Sequence, residues 1–282
     1  MDFDWTLRFL GTGSSHSEDL GSSSATLENS GDPVLLIDCG QGIPARYHRT
    51  YKVWPEAIFI THVHLDHISG LEQLQSTIAL GKARPVRIYA PGSILQLLHE
   101  RIGNLTCSMA EGRSNFWDQY QLIPVSSGFW HAGHWFDVFP VRHHAPGFAY
   151  GIRLAGRFLF TGDTRPIPEI LRHFGNSGER LFHDCALRGN PSHTGWDDIE
   201  REYEPALRKR MVLYHYESAE TGARLRRKGV CVAEPGKRYS LNGTGGKAPR
   251  VFHMPSTIER RVNGKSRPSP RLETDYSRRG FE

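Results

Sequence analysis

The chain has 282 residues, of which 38% are hydrophobic and 23% charged, so it can build a sizeable core and is not wholly disordered. No apolar run reaches about 18 residues, the length of a membrane-spanning helix, and the first residues lack the pattern of a secretory signal. The four cysteines are scattered without a CxxC pair, which disfavours a disulfide framework. We therefore expect a cytoplasmic protein that does not bind membranes. The 15 histidines, several of them clustered, are the first indication of metal chemistry.

The positive charge is concentrated at the end of the sequence. Residues 242–282 contain nine Lys and Arg and four acidic residues, so they account for the whole net charge of +5. This segment is rich in Gly, Pro and Ser and has no apolar period. We predict a folded domain over residues 1–241 and a basic C-terminal extension over 242–282, which is either a solvated appendage or a tether for RNA.

Short apolar, β-branched runs alternate with helical stretches along residues 1–241, as in an α/β protein built of layers. Residues 149–162 form a predicted hairpin that turns at Ala155 and Gly156. The predicted strands cover 6–10, 33–38, 57–61, 86–90, 136–141, 148–154, 157–163 and 211–215, and the predicted helices cover 69–81, 93–102, 166–174, 196–209 and 218–228.

The segment Thr61–His67, with the sequence THVHLDH, places four potential metal ligands directly after the apolar residues AIFI. Side chains alternate along a strand, so His62 and His64 point the same way and can reach one metal ion. The chain then turns and presents Asp66 and His67 to a second position, and imidazole and carboxylate suit Zn²⁺, Mn²⁺ or Fe²⁺. The alternative interpretation is a polar helix N-terminus with Asp66 as its cap.

HxHxDH after an apolar strand resembles the metallo-β-lactamase superfamily, and the resemblance extends over most of residues 5–240. PVLLIDCG resembles the superfamily strand that ends in an Asp before a Gly-containing turn. FLGTGSS resembles the first strand of the branch that holds ribonuclease Z and cyclic phosphodiesterases. The resemblance implies an α/β fold, a four-layer αββα sandwich, with a two-metal site at one edge of its sheets.

The resemblance also implies the remaining ligands. The third motif of the family is a His followed seven residues later by a Tyr, a spacing that His143 and Tyr150 match and His144 does not. The Asp at the end of RFLFTGD would bridge two metal ions, unless it is a helix N-cap. The implied cofactors are two divalent metal ions, Zn²⁺ with Mn²⁺ or Fe²⁺ as alternatives, held by His62, His64 and His143 at one position, by Asp66, His67 and His215 at the other, and by Asp163 at both.

Three features bear on the reaction. True β-lactamases would call for a Cys where this chain has Asp163, which disfavours β-lactam hydrolysis. His193 lies in the interval where ribonuclease Z and the cyclic phosphodiesterases carry a His that reaches the scissile phosphate, so we expect it to protonate the leaving group unless it is a polar loop residue. Asp163 lies only 20 positions after His143, which leaves no room for the tRNA-gripping arm of short ribonuclease Z. The expected catalytic residues are His193 and Asp66, which is also one of the expected metal ligands.

Weaker patterns indicate residues around this centre. Arg165 and Ser14 are candidates to contact a substrate phosphate, and their alternatives are a solvated Arg and a tight GTGSS turn. Asp38 either orients one of the ligand imidazoles or forms the turn before Gly40.

We predict a binuclear metal-dependent hydrolase, a phosphodiesterase that acts on a small nucleotide-like or cyclic phosphate. The alternatives are an RNA-processing endonuclease that binds RNA through its basic extension, and a hydrolase of another ester or thioester on the same fold. A non-hydrolytic scaffold is disfavoured by the complete ligand set. The sequence leaves the oligomeric state open, a homodimer included.

Overall fold

A computed structural model describes residues 4–103 and 115–241 of the chain. The predicted extension over 242–282 lies outside this part, so the division of the chain into two domains stays a prediction. Within the described residues, no helix is both long and apolar enough to cross a membrane.

The first sheet combines an antiparallel half with a parallel half. Its order is β14-β1-β2-β3-β4-β5-β6, and the pairs from β3 to β6 are parallel. These strands are β1 (Trp5–Gly11), β2 (Ser24–Asn29), β3 (Asp32–Ile37), β4 (Ala57–Phe59), β5 (Val86–Pro91), β6 (Tyr120–Val125) and β14 (Arg238–Ser240).

The second sheet has the same mixed character. Its order is β13-β12-β11-β10-β9-β8-β7, and the pairs from β10 to β13 are parallel. The hairpin of β9 and β10 pairs Leu154 with Phe158, as the sequence predicts. These strands are β7 (Gly128–His131), β8 (His134–Pro140), β9 (Tyr150–Leu154), β10 (Phe158–Phe160), β11 (Arg180–Asp184), β12 (Met211–Tyr214) and β13 (Cys231–Val232).

Three buried clusters hold the layers together. The central one lies between the sheets, where Phe9 of the first sheet contacts the rings of Phe160, Phe182 and Tyr214 of the second, at centroid distances of 5.4 to 6.3 Å. The other two cover the outer faces with helices, which gives the predicted αββα sandwich. The helices are α1 (Ile43–Tyr51), α2 (Leu65–Ile68), α3 (Gly70–Ala79), α4 (Gly92–Ile102), α5 (Phe116–Gln119), α6 (Pro168–Phe174), α7 (Trp196–Glu202), α8 (Pro205–Arg208) and α9 (Ala219–Arg227).

The elements depart from the sequence-based expectations in two ways. The single helix predicted over 196–209 is two helices, because Pro205 disfavours helical backbone at the residue before it and starts α8. Strands β2, β6, β7, β11, β13 and β14 and helices α1, α2 and α5 were not predicted. In β2, for example, the polar side chains of Thr26 and Glu28 are fully buried, so no apolar alternation marks the strand.

Glu28 is a buried carboxylate that ties four elements together. Its oxygens accept hydrogen bonds from Thr6 and Arg8 of β1, Tyr51 of α1 and Arg238 of β14, at 2.7 to 2.9 Å. Burial opposes the charge, but the hydrogen bonds from Thr6, Arg238 and Tyr51 hold the pKa of Glu28 below its ordinary value.

We expect Glu28→Gln to lower the free energy of unfolding by about 1–3 kcal/mol at pH 7, because buried donors lose a charged acceptor. Since the folded-state pKa is lowered, the ionised carboxylate stabilises the fold above the ordinary pKa, and this contribution is lost as the pH falls through the folded-state pKa. The difference between wild type and variant should therefore shrink below the ordinary value of 4.5. Urea unfolding at several pH values measures it. The exposed Glu72→Gln is the control, and equal stabilities of the two variants would contradict the role of Glu28.

Candidate metal centre and active site

The predicted ligands meet at the carboxyl ends of strands from both sheets. Residues 61–67 follow β4, whereas Asp163 follows β10 and His215 follows β12. Loops at the carboxyl ends of parallel strands are the usual place for ligand sites in α/β proteins, because side chains from several strands converge there.

A close backbone approach seats the first ligand segment. The amide of Cys39 donates to the carbonyl of His67 at 2.7 Å, and the amide of Gly70 donates to the carbonyl of Cys39 at 2.9 Å. A Cβ at Gly40 would lie 1.9 Å from the carbonyl oxygen of Asp66, so this contact requires glycine.

The first group of donors consists of imidazoles. His64 Nδ1 lies 3.1 Å from His62 Nε2 and 3.2 Å from His143 Nε2. Asp163 Oδ2 lies 3.7 Å from His62 Nε2 and 3.8 Å from His143 Nε2. The ring of His144 is 4.4 Å from that of His64, so the structure brings both histidines of the pair to this group.

The second group of donors shares Asp163 with the first. Oδ2 of Asp163 lies 3.3 Å from His67 Nε2 and 3.2 Å from His215 Nε2. Oδ2 of Asp66 lies 3.4 and 3.5 Å from the same two nitrogens. The donors therefore form two groups, and Oδ2 of Asp163 lies closer to the imidazoles of the second group than to those of the first.

These donors fit divalent cations. Nε2 of His67, Nε2 of His215 and Oδ1 of Asp163 are buried atoms without a hydrogen-bond partner, which is costly unless another group binds them. Two nitrogen ligands of one tetrahedral zinc ion lie about 3.3 Å apart, close to the spacing of the imidazole nitrogens in the first group. Imidazole and carboxylate together suit Zn²⁺, Mn²⁺ and Fe²⁺.

The charge states of the donors also favour the binding of metal ions. Burial, reinforced by neighbouring imidazoles, lowers the pKa values of His62 and His64, that of His64 to about 4. Burial opposes the charge of Asp163, but His215 and His67 hold its pKa well below the ordinary value. Burial also opposes the charges of His67 and His215, yet nearby carboxylates raise their pKa values, that of His215 to about 10. Neutral imidazoles and ionised carboxylates bind metal ions, and cations would displace the protons of His67 and His215.

Contacts on the far side of the imidazoles fix their orientation. His67 Nδ1 donates to Asp38 Oδ2 at 2.8 Å, and the amide and hydroxyl of Thr61 donate to the same carboxylate at 2.8 Å. His143 Nδ1 donates to the carbonyl of Ser192 at 2.9 Å. With Nδ1 engaged, Nε2 of each ring is left to face the centre.

Two residues of the site have strained backbones. Asp38 has φ 58° and His215 has φ 67°, in the left-handed region that non-glycine residues rarely adopt. Their amides donate to the carbonyls of Phe59 and Thr12 at 2.9 and 2.8 Å, which holds both conformations in place. Such strain is commonly retained where a side chain must point in one direction.

His193 lies beside the cluster with its ring 4.8 Å from that of His143 and 5.0 Å from that of His215. Its Nδ1 donates to Asp184 Oδ2 at 2.9 Å, and the amide of Thr164 donates to the same oxygen at 2.9 Å. Burial opposes the charge on His193, but the hydrogen bond to Asp184 raises its pKa above the ordinary value.

Asp184 is a residue of the site that sequence analysis missed. It is fully buried, and its Oδ1 lies 3.5 Å from His215 Nδ1, so it contacts both His193 and His215. The available signal was its position at the end of the short run RLFHD, since a carboxylate that ends a strand lies at the ligand edge.

The two substrate-contact candidates border the cluster without contacting a ligand side chain through any described hydrogen bond. Arg165 is exposed, and its Nε donates to the carbonyl of Arg142 at 3.1 Å, next to His143. The hydroxyl of Ser14 is buried without a partner, and its amide donates to the carbonyl of Tyr216 at 3.3 Å. The amides of residues 12–14 all donate to carbonyls, so these groups of the GTGSS turn are not available to a phosphate.

Hydroxyl groups fasten the loop that carries His143. Ser93 Oγ donates to the carbonyl of Gly147 at 2.6 Å and lies 2.8 Å from the hydroxyl of Tyr150. The amide of Tyr150 donates to the carbonyl of Thr61 at 3.0 Å, which joins this loop to the first ligand segment. The Tyr seven residues after His143 thus has a structural role in placing that histidine.

Comparisons with known proteins agree with the fold. The metallo-β-lactamase fold protein YhfI of Bacillus subtilis superposes with a TM-score of 0.66 at 15% identity, over 85% of this chain and 100% of that chain. The short form of human tRNase Z superposes with a TM-score of 0.60 at 23% identity, over 84% of this chain and 99% of that chain. These likenesses show that the sandwich has the metallo-β-lactamase fold.

Sequence comparison identifies the family. An anti-Pycsar protein Apyc1 from Paenibacillus harenae is 26% identical over 242 residues, which cover 83% of this chain and 99% of that protein. The profile of the anti-Pycsar protein Apyc1 family matches residues 5–239. The chain therefore belongs to the anti-Pycsar Apyc1 family and is a metal-dependent hydrolase of the phosphodiesterase type.

Proposed function

We propose that the chain hydrolyses a small cyclic or nucleotide-like phosphodiester at a centre of two divalent cations. The observation that carries this proposal is the pair of His193 and Asp184, which lies directly beside the cluster that the two groups of donors form. Such a pair supplies the proton that an alkoxide leaving group needs. The cluster and the pair together are what hydrolysis of an unactivated phosphodiester requires.

The donor geometry supports the ligand assignment of the sequence analysis. His62, His64 and His143 would hold one cation, and Asp66, His67 and His215 the other, with Asp163 between them. When bound, the two cations stabilise the negative charge of the reacting phosphate and lower the pKa of water enough for attack at neutral pH. We propose zinc, with manganese or iron as alternatives. A cytoplasmic location and a homodimer stay predictions.

His193 has the geometry of a general acid. Its Nδ1 donates to Asp184, so the proton to be transferred is on Nε2, at the opposite end of the ring. As the bond between phosphorus and the leaving oxygen breaks, Nε2 gives its proton to that oxygen. Asp184 keeps the ring in the required tautomer and stabilises the charged imidazolium before transfer.

A short connection between two ligands favours a small substrate. From His143 to Asp163 the described chain forms a loop and the hairpin of β9 and β10, and both strands pair within the second sheet. No arm extends from this connection to grip a folded RNA. An RNA-processing endonuclease is the second candidate, which the nine Lys and Arg of residues 242–282 favour. Hydrolysis of another ester or thioester is the third.

The substrate class can be tested directly. Metal-loaded protein should hydrolyse nucleoside cyclic monophosphates and bis-p-nitrophenyl phosphate, and should leave nitrocefin and a glutathione thioester intact. Chromatographic and absorbance assays measure both sets. Asp163→Asn is the inactive control, since it removes the negative charge shared by both groups of donors.

The RNA alternative predicts a different pattern. Salt-dependent retention of RNA that disappears when residues 242–282 are removed would favour it, especially if RNA is cleaved and cyclic nucleotides are not. Thioester turnover without phosphodiester turnover would contradict both phosphodiester hypotheses.

The register of the third ligand can be tested by metal content. We expect His143→Ala to lose about one of two equivalents and His144→Ala to retain both, because Nδ1 of His143 is anchored and its Nε2 faces the centre. Elemental analysis of dialysed proteins measures this, with circular dichroism to confirm folding. The opposite result would assign the ligand to His144.

The role of His193 predicts a dependence on the leaving group. His193→Ala should keep its metal content and lose about 10²–10⁴-fold in kcat on alkyl or nucleoside esters. The loss should be much smaller on p-nitrophenyl esters, whose leaving group needs little protonation. Steady-state kinetics on the two ester classes measures the difference. An equal loss on both would instead make His193 a residue that positions the phosphate.

A further inference from the structure

A cavity lies at the amino ends of the strands whose carboxyl ends carry Asp184 and His215. Its volume is about 290 Å³, and its lining includes Arg180 at the start of β11, Met211 at the start of β12 and Cys231 at the start of β13. Strand β11 runs from Arg180 to Asp184, and four residue steps along a strand span about 13 Å. The cavity is therefore separated from the donor cluster by the length of the strands.

Positive charge dominates this cavity. Arg157, Arg180, Lys209 and Arg210 all line it, and they come from three separate parts of the sequence. The one carboxylate among its lining residues belongs to Glu179.

Glu179 is already satisfied by other groups. Its Oε1 accepts from Arg153 Nη2 at 2.6 Å and from the amide of Gly156 at 3.0 Å. Its Oε2 accepts from the amide of Ser177 at 2.9 Å, and the side chain is fully buried. Arg153 pairs with both Glu179 and Asp137, so it offsets only part of the charge of Glu179. Four cationic side chains against this one carboxylate still leave the lining of the cavity positively charged.

Backbone carbonyls hold two of the guanidinium groups in place. Arg210 donates from Nη1 to the carbonyl of Glu179 at 2.9 Å and from Nη2 to that of Gly175 at 2.8 Å. Arg180 donates from Nη1 to the carbonyl of Ser240 at 3.2 Å. A guanidinium has five N–H donors, so each keeps donors for a ligand while its position is fixed in advance.

Lys209 adds an exposed positive charge to the lining of the cavity. Its ammonium group has no hydrogen-bond or ion-pair partner among the described residues, and the side chain is exposed. A flexible ammonium beside fixed guanidinium groups can adapt to an anion that the arginines orient.

We infer that this cavity binds the phosphate group of a small phosphorylated ligand, at a site distinct from the active site. Planar guanidinium donors match phosphate oxygens in pairs, and several cations favour a dianion over a monoanion. The volume suits inorganic phosphate or a nucleoside monophosphate rather than a folded macromolecule. The inference does not depend on the proposed substrate, because it uses none of the residues of the donor cluster.

Cys231 provides a local probe for the test. It is exposed and lies 3.8 Å from Arg180 Nη2, whereas Cys39 and Cys185 are buried. Alkylation of Cys231 in the full-length, metal-loaded protein by neutral N-ethylmaleimide is followed by peptide mass spectrometry. Inorganic phosphate or a nucleoside 5′-monophosphate should slow it severalfold, with half-protection near about 1 mM, relative to chloride at equal ionic strength.

Matched variants locate the protection. Lys209→Glu should weaken it about tenfold or more, since a charge-assisted donor becomes a repulsive carboxylate, and Lys209→Arg should preserve it. Lys82→Glu, the same charge reversal at an exposed lysine between α3 and β5, should leave it unchanged. Each rate is compared with that of the same variant in chloride, which removes direct effects on the thiol.

Several results would overturn the inference. The first is an alkylation rate of Cys231 that is the same in phosphate as in chloride. The second is protection that Lys209→Glu leaves intact. The third is protection by an RNA oligonucleotide but by neither small phosphate, which would indicate a surface for RNA. Protection by phosphate alone would identify free phosphate as the ligand, and stronger protection by the monophosphate would identify a nucleotide.

Discussion

One buried carboxylate oxygen organises the catalytic edge. Oδ2 of Asp163 lies within 4.0 Å of a nitrogen of each of five imidazoles, those of the residues at positions 62, 67, 143, 193 and 215. An ionised carboxylate in a dry interior is stable only when positive charge surrounds it. The same requirement that makes Asp163 costly to bury thus gathers imidazoles from both sheets and creates strong binding positions for cations.

The imidazoles around Asp163 are held in position by further carboxylates on their far sides. Asp38 at the end of β3 fixes His67 from the first sheet, and Asp184 at the end of β11 fixes His193 and contacts His215 from the second. Each outer carboxylate is itself buried and held by a backbone amide. Asp38 and His215 have left-handed backbones, which are locally unfavourable. The fold tolerates this cost because it keeps both side chains directed at their partners in the site.

The sequence predicted the parts of this design that are local. HxHxDH predicted a metal site because four donors lie within six residues after a strand. The resemblance to the metallo-β-lactamase superfamily then predicted the fold. Asp184 was missed because β11 is covered on both faces and includes a buried His183, so no apolar period marks the strand that Asp184 ends. Glu28 was missed for the same reason, as its partners are distant in sequence and its strand contains buried polar residues.

The two ends of the parallel strands also differ in charge for a physical reason. At the carboxyl ends, acidic side chains and imidazoles converge, which suits cations. At the amino ends of β11 and β12, Arg180 and Arg210 converge with Lys209, which suits anions. Arginine side chains among the buried carboxylates would themselves neutralise the negative charge, and they would leave no position there for divalent cations. Because the two kinds of site are separated by the length of a strand, one sheet can carry both. The register of β11 and β12 brings Arg180 close to Lys209 and Arg210, although these residues are distant in sequence.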